Sequence, residues 1–229
     1  MTTTTVFAGA SDFWILYSAS TYANSRNGTG GSFSADSGSE TTLYVGQNQF
    51  GGPTFEMMEI MLEFDTSSIP DTDVVSAAVL SVWGVNDNDT GDLMTLEARA
   101  YDWGGTQDNA DWRTGAQYAA LTLLATMAPL TLDAAAYNVM TSSSPNMENA
   151  INVTGFTRMV LGSNRFASNT SPPGEEYYQL QSADNTGTTN DEKLVVTHAA
   201  SAAGQPTTKR FGGVQFSGYR AQGNLIRRW

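Results

Sequence analysis

The chain of 229 residues has no cysteine, one histidine, two lysines (Lys193 and Lys209) and seven prolines. Each scarcity removes a class of chemistry. Without cysteine there is no disulfide framework and no thiolate site. A lone His198 rules out histidine-based metal clusters and most histidine proton relays, and reads as a structural residue at a strand end. No apolar run approaches the roughly 18 residues that a membrane-spanning helix needs. The opening MTTTTVFAGASDF lacks a basic region followed by an apolar one, so no secretory signal is read and the expectation is a soluble chain made in the cytoplasm. A phosphate loop, a dinucleotide fingerprint and a serine-nucleophile motif are also missing.

Glycine, serine, threonine and asparagine are abundant, which makes the chain rich in turn formers and poor in helix formers. Charge is unevenly spread. Residues 1–206 hold all 23 acids and six bases, a net of −17, whereas residues 207–229 hold five bases and no acid, a net of +5. An acidic body with a purely basic end marks an interaction tail.

Apolar residues alternate along FEMMEIMLEFDTSSIP. Met58, Ile60, Leu62 and Phe64 share one face and Glu59 and Glu63 the other, as in a half-buried strand. Asp65 is placed to accept amide hydrogens in an Asx-turn, Ile69 tucks back, and Pro70 stops the ladder. VVSAAVLSVWGV predicts a strand covered on both faces, with Ala78, Leu80 and Val82 inward. TVFAGASDFWILYS, TLYVGQ, TLEARAYDW, EYYQLQSADN and KLVVTHA supply further strands. NVTGFTRMVLGS, with Phe156, Met159 and Val160 on one side and Gly162 as a stop, predicts a short helix. TGAQYAALTLLATM is a second, weaker helical stretch, and TYANSRNGTGGSFSADSGSE reads as a long polar loop.

Short strands separated by turn signals predict an all-β fold, a β-sandwich or jelly roll with one short helix and extended N- and C-terminal segments. The expected organisation is an N-terminal strand and loop over 1–39, the sandwich over 40–198, a small-residue linker over 199–208 and a basic, aromatic tail over 209–229.

Several groups of residues carry candidate chemistry. Asp87-Asn88-Asp89-Thr90-Gly91-Asp92 has the alternating acids of a calcium loop. Its glycine falls one place early, and Ala98 occupies the twelfth position, so a hairpin loop is expected and no metal or other cofactor is assigned. Trp103, Trp112 and Tyr118 form a candidate sugar-stacking platform, with Asp102, Asp108 or Asp111 beside them to bind hydroxyls. The competing expectation is that the tryptophans pack beneath the loop. The pairs Glu56/Glu59 and Glu175/Glu176 have no spacing that points to two carboxyls facing across a cleft, as glycoside hydrolysis requires.

The tail stands apart. Phe211, Val214, Phe216, Tyr219, Leu225, Ile226 and Trp229 alternate with glycine and with Lys209, Arg210, Arg220, Arg227 and Arg228. Aromatic and arginine side chains are enriched at interface hot spots, so a docking segment is expected. The acidic body disfavours nucleic acid as its target.

Together, LYVGQ, MLEFDTSSIP with VVSAAVLSVWG, ARAYDW with ADW, INVTGFTRMVLG and YYQLQSADNTGTTNDEKLVVTH resemble the DNRLRE-type jelly-roll domain over residues 40–198. Met61-Leu62-Glu63-Phe64 stands where that family often carries an arginine. The family is related to carbohydrate-binding modules and occurs in extracellular enzymes and phage structural proteins. The front segment and the RFGGV…W tail look like those of tailed-phage virion proteins. The resemblance implies a jelly roll, structural roles for the two tryptophans, and binding or scaffolding without catalysis.

The first expectation is therefore a non-enzymatic virion protein, a capsid decoration or fibre-like module. Its partners would be the major capsid or tail proteins of the same virion and further copies of itself, a trimer being one arrangement, with no nucleic acid and no membrane. The second is a module that adsorbs host glycan through Trp103, Trp112 and Tyr118. The third, a polysaccharide-degrading enzyme, needs a cleft with converging carboxylates.

Overall fold

The structure is a computed structural model that describes residues 1–35, 40–49, 52–91, 93–129, 132–184, 187 and 189–201, together with the backbone of 210–211 and 214–215. The N-terminal part contains β1 (Thr2–Phe7), β2 (Phe13–Ala19), α1 (Tyr22–Asn27), β3 (Gly31–Ala35), β4 (Thr42–Gln49), β5 (Phe55–Asp65) and β6 (Asp73–Asp87). The middle contains β7 (Leu96–Ala100), a 3-10 turn (Asn109–Asp111), α2 (Gly115–Ala120), β8 (Leu123–Met127), β9 (Tyr137–Val139), β10 (Thr141–Ser142) and α3 (Asn146–Ala150). Then come β11 (Phe156–Ser163), α4 (Asn164–Ala167), β12 (Glu175–Gln181) and β13 (Lys193–Ala200). A separate two-residue ladder joins β14 (Arg210–Phe211) to β15 (Val214–Gln215).

The fold is all-β and sandwich-like, with only short helices. β1 to β13 form one curled antiparallel sheet in the order β1-β13-β6-β12-β4-β5-β11-β7-β8-β10, with β2 on β5, β3 on β2 and β9 on β6. The N-terminal strands are woven into it. β1 pairs β13 along its length, and β2 pairs β5 from Phe13↔Met61 to Ala19↔Phe55. Residues 21–35 of the polar stretch after β2 form a helix and a strand instead of a loop. Thr21 caps α1 by accepting the Asn24 amide at 3.2 Å, Gly28 ends the helix at φ +65°, and β3 returns along β2.

Two apolar cores result. The first lies inside the curl, where Leu80, Val82, Leu180 and Leu194 meet Leu43, Ile60, Leu62 and Leu161. The inward positions Ala78, Leu80 and Val82 are buried as expected from the sequence. The second lies on the other face of β5 and β11. There Met57, Met61 and Val160 are covered by Phe13, Ile15 and Tyr17 of β2 and by aromatic side chains of the 101–121 segment. β5 is therefore covered on both faces. The half-buried reading fails because the glutamates of its second face lie under this extra layer, Glu59 fully buried and Glu63 nearly so.

The helix expected over NVTGFTRMVLGS is instead strand β11, paired with β5 from Phe156↔Asp65 to Leu161↔Ile60 and with β7 from Met159↔Ala100 to Ser163↔Leu96. A central strand with both faces buried reads as a continuous apolar run, and a run can mimic a helical stripe. Gly162 is not a helix stop but a point of close approach. A Cβ there would lie 2.7 Å from the Tyr118 ring. Helix α4 starts one residue after β11 and is capped by Ser163. The weaker helical stretch splits: Thr114 and Gln117 form a capping box for α2, and the remainder becomes β8.

Candidate functional site

The sequence-derived sugar platform is interior. Trp103 and Trp112 are each 5 % exposed and Tyr118 is fully buried. Trp103 donates its indole N–H to the Leu62 carbonyl at 3.4 Å and meets Phe13 edge-on at 5.2 Å. Trp112 packs against Phe166 at 5.6 Å and Tyr17 at 6.1 Å. Tyr118 donates its hydroxyl to the Glu97 carbonyl at 2.9 Å beneath the Arg99 guanidinium. These rings are anchors of the second core and offer no face to a sugar. The neighbouring acids are structural as well. Asp108 and Asp111 cap the 3-10 turn reciprocally, and Asp102 accepts from Arg158 at 2.8 Å.

The calcium-like loop is stapled by its own backbone. Asp87 accepts the Asp89 amide at 2.8 Å and the Leu132 amide at 2.9 Å, and Asp89 accepts the Met94 amide at 2.7 Å. Among the described residues no three histidine, aspartate or glutamate side chains form a metal-binding group. His198 is buried on β13 between Asp73, at 2.7 Å from Nδ1, and Thr4, at 2.9 Å from Nε2.

Each acid pair splits across its strand. Glu59 is fully buried and accepts the Arg113 amide at 2.9 Å, and burial pushes its carboxyl well above the usual range. Glu56 projects to the opposite side of β5. Glu176 is buried against Arg165 at 2.9 Å and Gln47 at 2.6 Å, while Glu175 is exposed. Strand alternation thus separates both pairs.

Of the tail residues, Lys209, Phe216, Tyr219, Arg220, Leu225, Ile226, Arg227, Arg228 and Trp229 lie outside the described residues. Arg210, Phe211 and Val214 are described in their backbone alone.

The structure also reveals a groove that the sequence reading missed. It encloses about 330 Å³ and is lined by Trp14, Tyr44 and Tyr177 together with Glu40, Glu56 and Asn48; Leu16 and Met58 complete it. Its aromatic residues come from three strands and are each partly buried, Trp14 also packing against the first core. In β2 Phe13, Ile15 and Tyr17 enter the second core, which leaves Trp14 and Leu16 on the other face. Tyr44 lies between inward Leu43 and Val45, and Tyr177 precedes inward Tyr178. Trp14 and Tyr44 meet at 5.1 Å, and Tyr44 and Tyr177 at 6.2 Å.

Several polar groups in this groove have no partner among the described residues. Burial alone raises the Glu56 carboxyl above its ordinary range. Neither Glu56 nor Glu40 makes an ion pair among the described residues. Asn48 is 1 % exposed and its Oδ1 has no hydrogen-bond partner, nor has the buried Nε1 of Trp14. Buried polar atoms normally find partners; these two are among the buried side-chain atoms of the described residues that have none, and they lie beside the aromatic groove. The half-exposed aromatics at alternate positions were the available sequence signal.

No protein-family model matches the chain, and no curated protein matches it.

Proposed function

We propose that this chain is a non-enzymatic structural protein of a tailed-phage virion, a decoration or fibre-like module fastened to other virion subunits by residues 209–229. The observation that carries this reading is the division of the chain. A body of net −17 is joined to an end of net +5 that holds seven large apolar side chains in 19 residues. The resemblance of residues 40–198 to a jelly-roll module used in phage particles supports it. So does the way the body uses its acids. Glu63, Glu97, Glu176 and Asp73 each pair with a cation or histidine within the fold, and the two acid pairs lie across their strands. Repeated weak anchors in a symmetric particle add through multivalency, and such cementing needs no reactive centre.

The test is a chain ending at Thr208, supplied to particles that lack the full-length protein, with copies per particle counted by quantitative mass spectrometry. The expected result is a loss of about tenfold or more, since one lost contact of ~1.4 kcal/mol already gives tenfold. The truncated sandwich keeps its circular dichroism and melting temperature. Incorporation at the full-length level would overturn the proposal. Host-glycan adsorption, the other reading, loses Trp103, Trp112 and Tyr118 as a platform and would have to use the Trp14 groove.

A further inference from the structure

We propose that the groove between Trp14, Tyr44 and Tyr177 receives the basic segment 209–229 of a neighbouring copy, so that subunits join head to tail. This rests on the clasp function proposed above and names the surface it grips.

Charge selects the occupant first. Two carboxylates, Glu40 and Glu56, line the groove without a cation among the described residues, and Glu56 already bears a burial penalty. An uncharged sugar leaves that penalty in place, whereas an arginine or lysine side chain removes it. Aromatic walls suit such a cation, since guanidinium groups lie favourably over aromatic faces. The orphan polar atoms select further. Asn48 Oδ1 needs a donor and Trp14 Nε1 needs an acceptor. A peptide offers both through its backbone N–H and C=O, while a lone cation offers donors only. Both atoms are covered in the free protein, so docking includes a small rotation of Trp14. Residues 209–229 combine five cations and no acid with phenylalanine, tyrosine and tryptophan.

Chain geometry sets the tail exit far from the groove. The sandwich ends where Ala200 pairs with Asp73 and the Ser201 amide donates to the Thr72 carbonyl at 3.3 Å, at the start of β6. Tyr177 lies at the other end of the same strand. Tyr178 pairs with Asp87, and the Asn88 amide donates to the Tyr177 carbonyl at 3.0 Å. β6 is 15 residues long, so tail exit and groove stand about 45 Å apart along it at ~3.3 Å per residue. Residues 202–208 reach at most about 25 Å when fully extended, so the start of the basic segment falls short of the groove of its own chain. Residues 212–229 add enough length for Arg227 and Arg228 to reach either groove, and a tail folded back on its own chain is the outcome in which the wild type stays monomeric. An exit at one end and a receptor at the other is a heterologous contact, which propagates into a ring or a filament.

The full-length chain tests this by sedimentation velocity at low salt, up to about 100 μM, where contacts of micromolar to near-millimolar affinity register. The wild type is expected to associate with rising concentration. A groove variant (Tyr44→Ala with Glu56→Gln) and a tail variant (Arg227→Ala with Arg228→Ala) are each expected to weaken association about tenfold, the equivalent of ~1.4 kcal/mol. Tyr44 and Glu56 are only partly buried, so folding is checked by melting, and the tail variant leaves the sandwich untouched. Mixing the two variants is expected to stop at dimers, because one intact groove and one intact tail remain per pair. A wild type that stays monomeric, or variants that associate like it, would overturn the proposal. So would neutral maltohexaose or chitohexaose shifting the Trp14 indole resonance while the groove variant associates normally. Should self-association be absent while the chain ending at Thr208 still fails to enter particles, the head-to-tail contact is wrong and the clasp stands.

Discussion

Arg158 stands directly opposite Glu63 across the β5–β11 ladder, and its guanidinium bonds the Glu63 carboxylate while reaching Asp102 at 2.8 Å. Ser11 donates to the other Glu63 oxygen at 2.7 Å, and the Trp103 and Phe156 rings lie beneath the cation. One side chain thus ties the two central strands to the 101–121 segment. Arg158→Ala leaves a nearly buried carboxylate unpaired, and a loss of about 2–4 kcal/mol in urea unfolding is expected. Arg158→Lys recovers only part of it, since a single ammonium cannot span both carboxylates.

Trp103 and Trp112 act as core anchors, so their loss is a stability defect. Each tryptophan→Ala variant is expected to cost about 3–5 kcal/mol, visible as an early thermal transition. A chain that kept its melting temperature after Trp103→Ala would contradict the interior placement.

Asp12 sits at the turn between β1 and β2, accepting the Ala183 amide at 3.0 Å and the Ser182 hydroxyl at 3.2 Å. Burial, with Asp184 and Asp191 adding negative charge nearby, raises its carboxyl from 3.8 to about 7. Fully buried Glu192 is pushed up by the same cause, with Asp12 contributing. The unfolded chain releases the Asp12 proton near 3.8, while the native chain keeps it until about 7. Stability from this group is therefore full below the unfolded value and falls as pH rises through that window. Melting temperature measured from pH 4 to 8 should decline, and Asp12→Asn should flatten the decline. A wild-type profile that climbs over this range would contradict the assignment.

Gly46 adopts φ +130° where β4 meets β12, and a Cβ there would lie 2.3 Å from the Glu176 carbonyl. Gly46→Ala is expected to break that pairing at a cost above about 3 kcal/mol, as overpacking adds to the backbone penalty. Gly104 at φ +84° has nothing within 4 Å, so Gly104→Ala should cost only about 1–2 kcal/mol from backbone conformation. Equal losses in denaturant titrations would refute the difference.

Local patterns in the sequence foretold local structure. The Asx-turn is present, with the Ser67 amide donating to Asp65 at 3.1 Å, and Ile69 is fully buried behind it. Ala78, Leu80 and Val82 point inward, as the reading of VVSAAVLSVWGV implied. What the sequence hid depends on distant segments. Nothing within β5 reveals that β2 and the 101–121 segment cover Glu59. Nothing within 156–163 tells a strand buried on both faces from a helix. The groove escaped for the same reason, because Trp14, Tyr44 and Tyr177 come from strands that meet only in the folded sheet.

The most direct measurement is a cryo-EM reconstruction of the particle carrying this chain. The sandwich is expected on its surface, with density for residues 209–229 running into the Trp14–Tyr44–Tyr177 groove of the adjacent copy. Particles without the chain, or sandwiches whose basic ends touch no other subunit, would contradict the clasp.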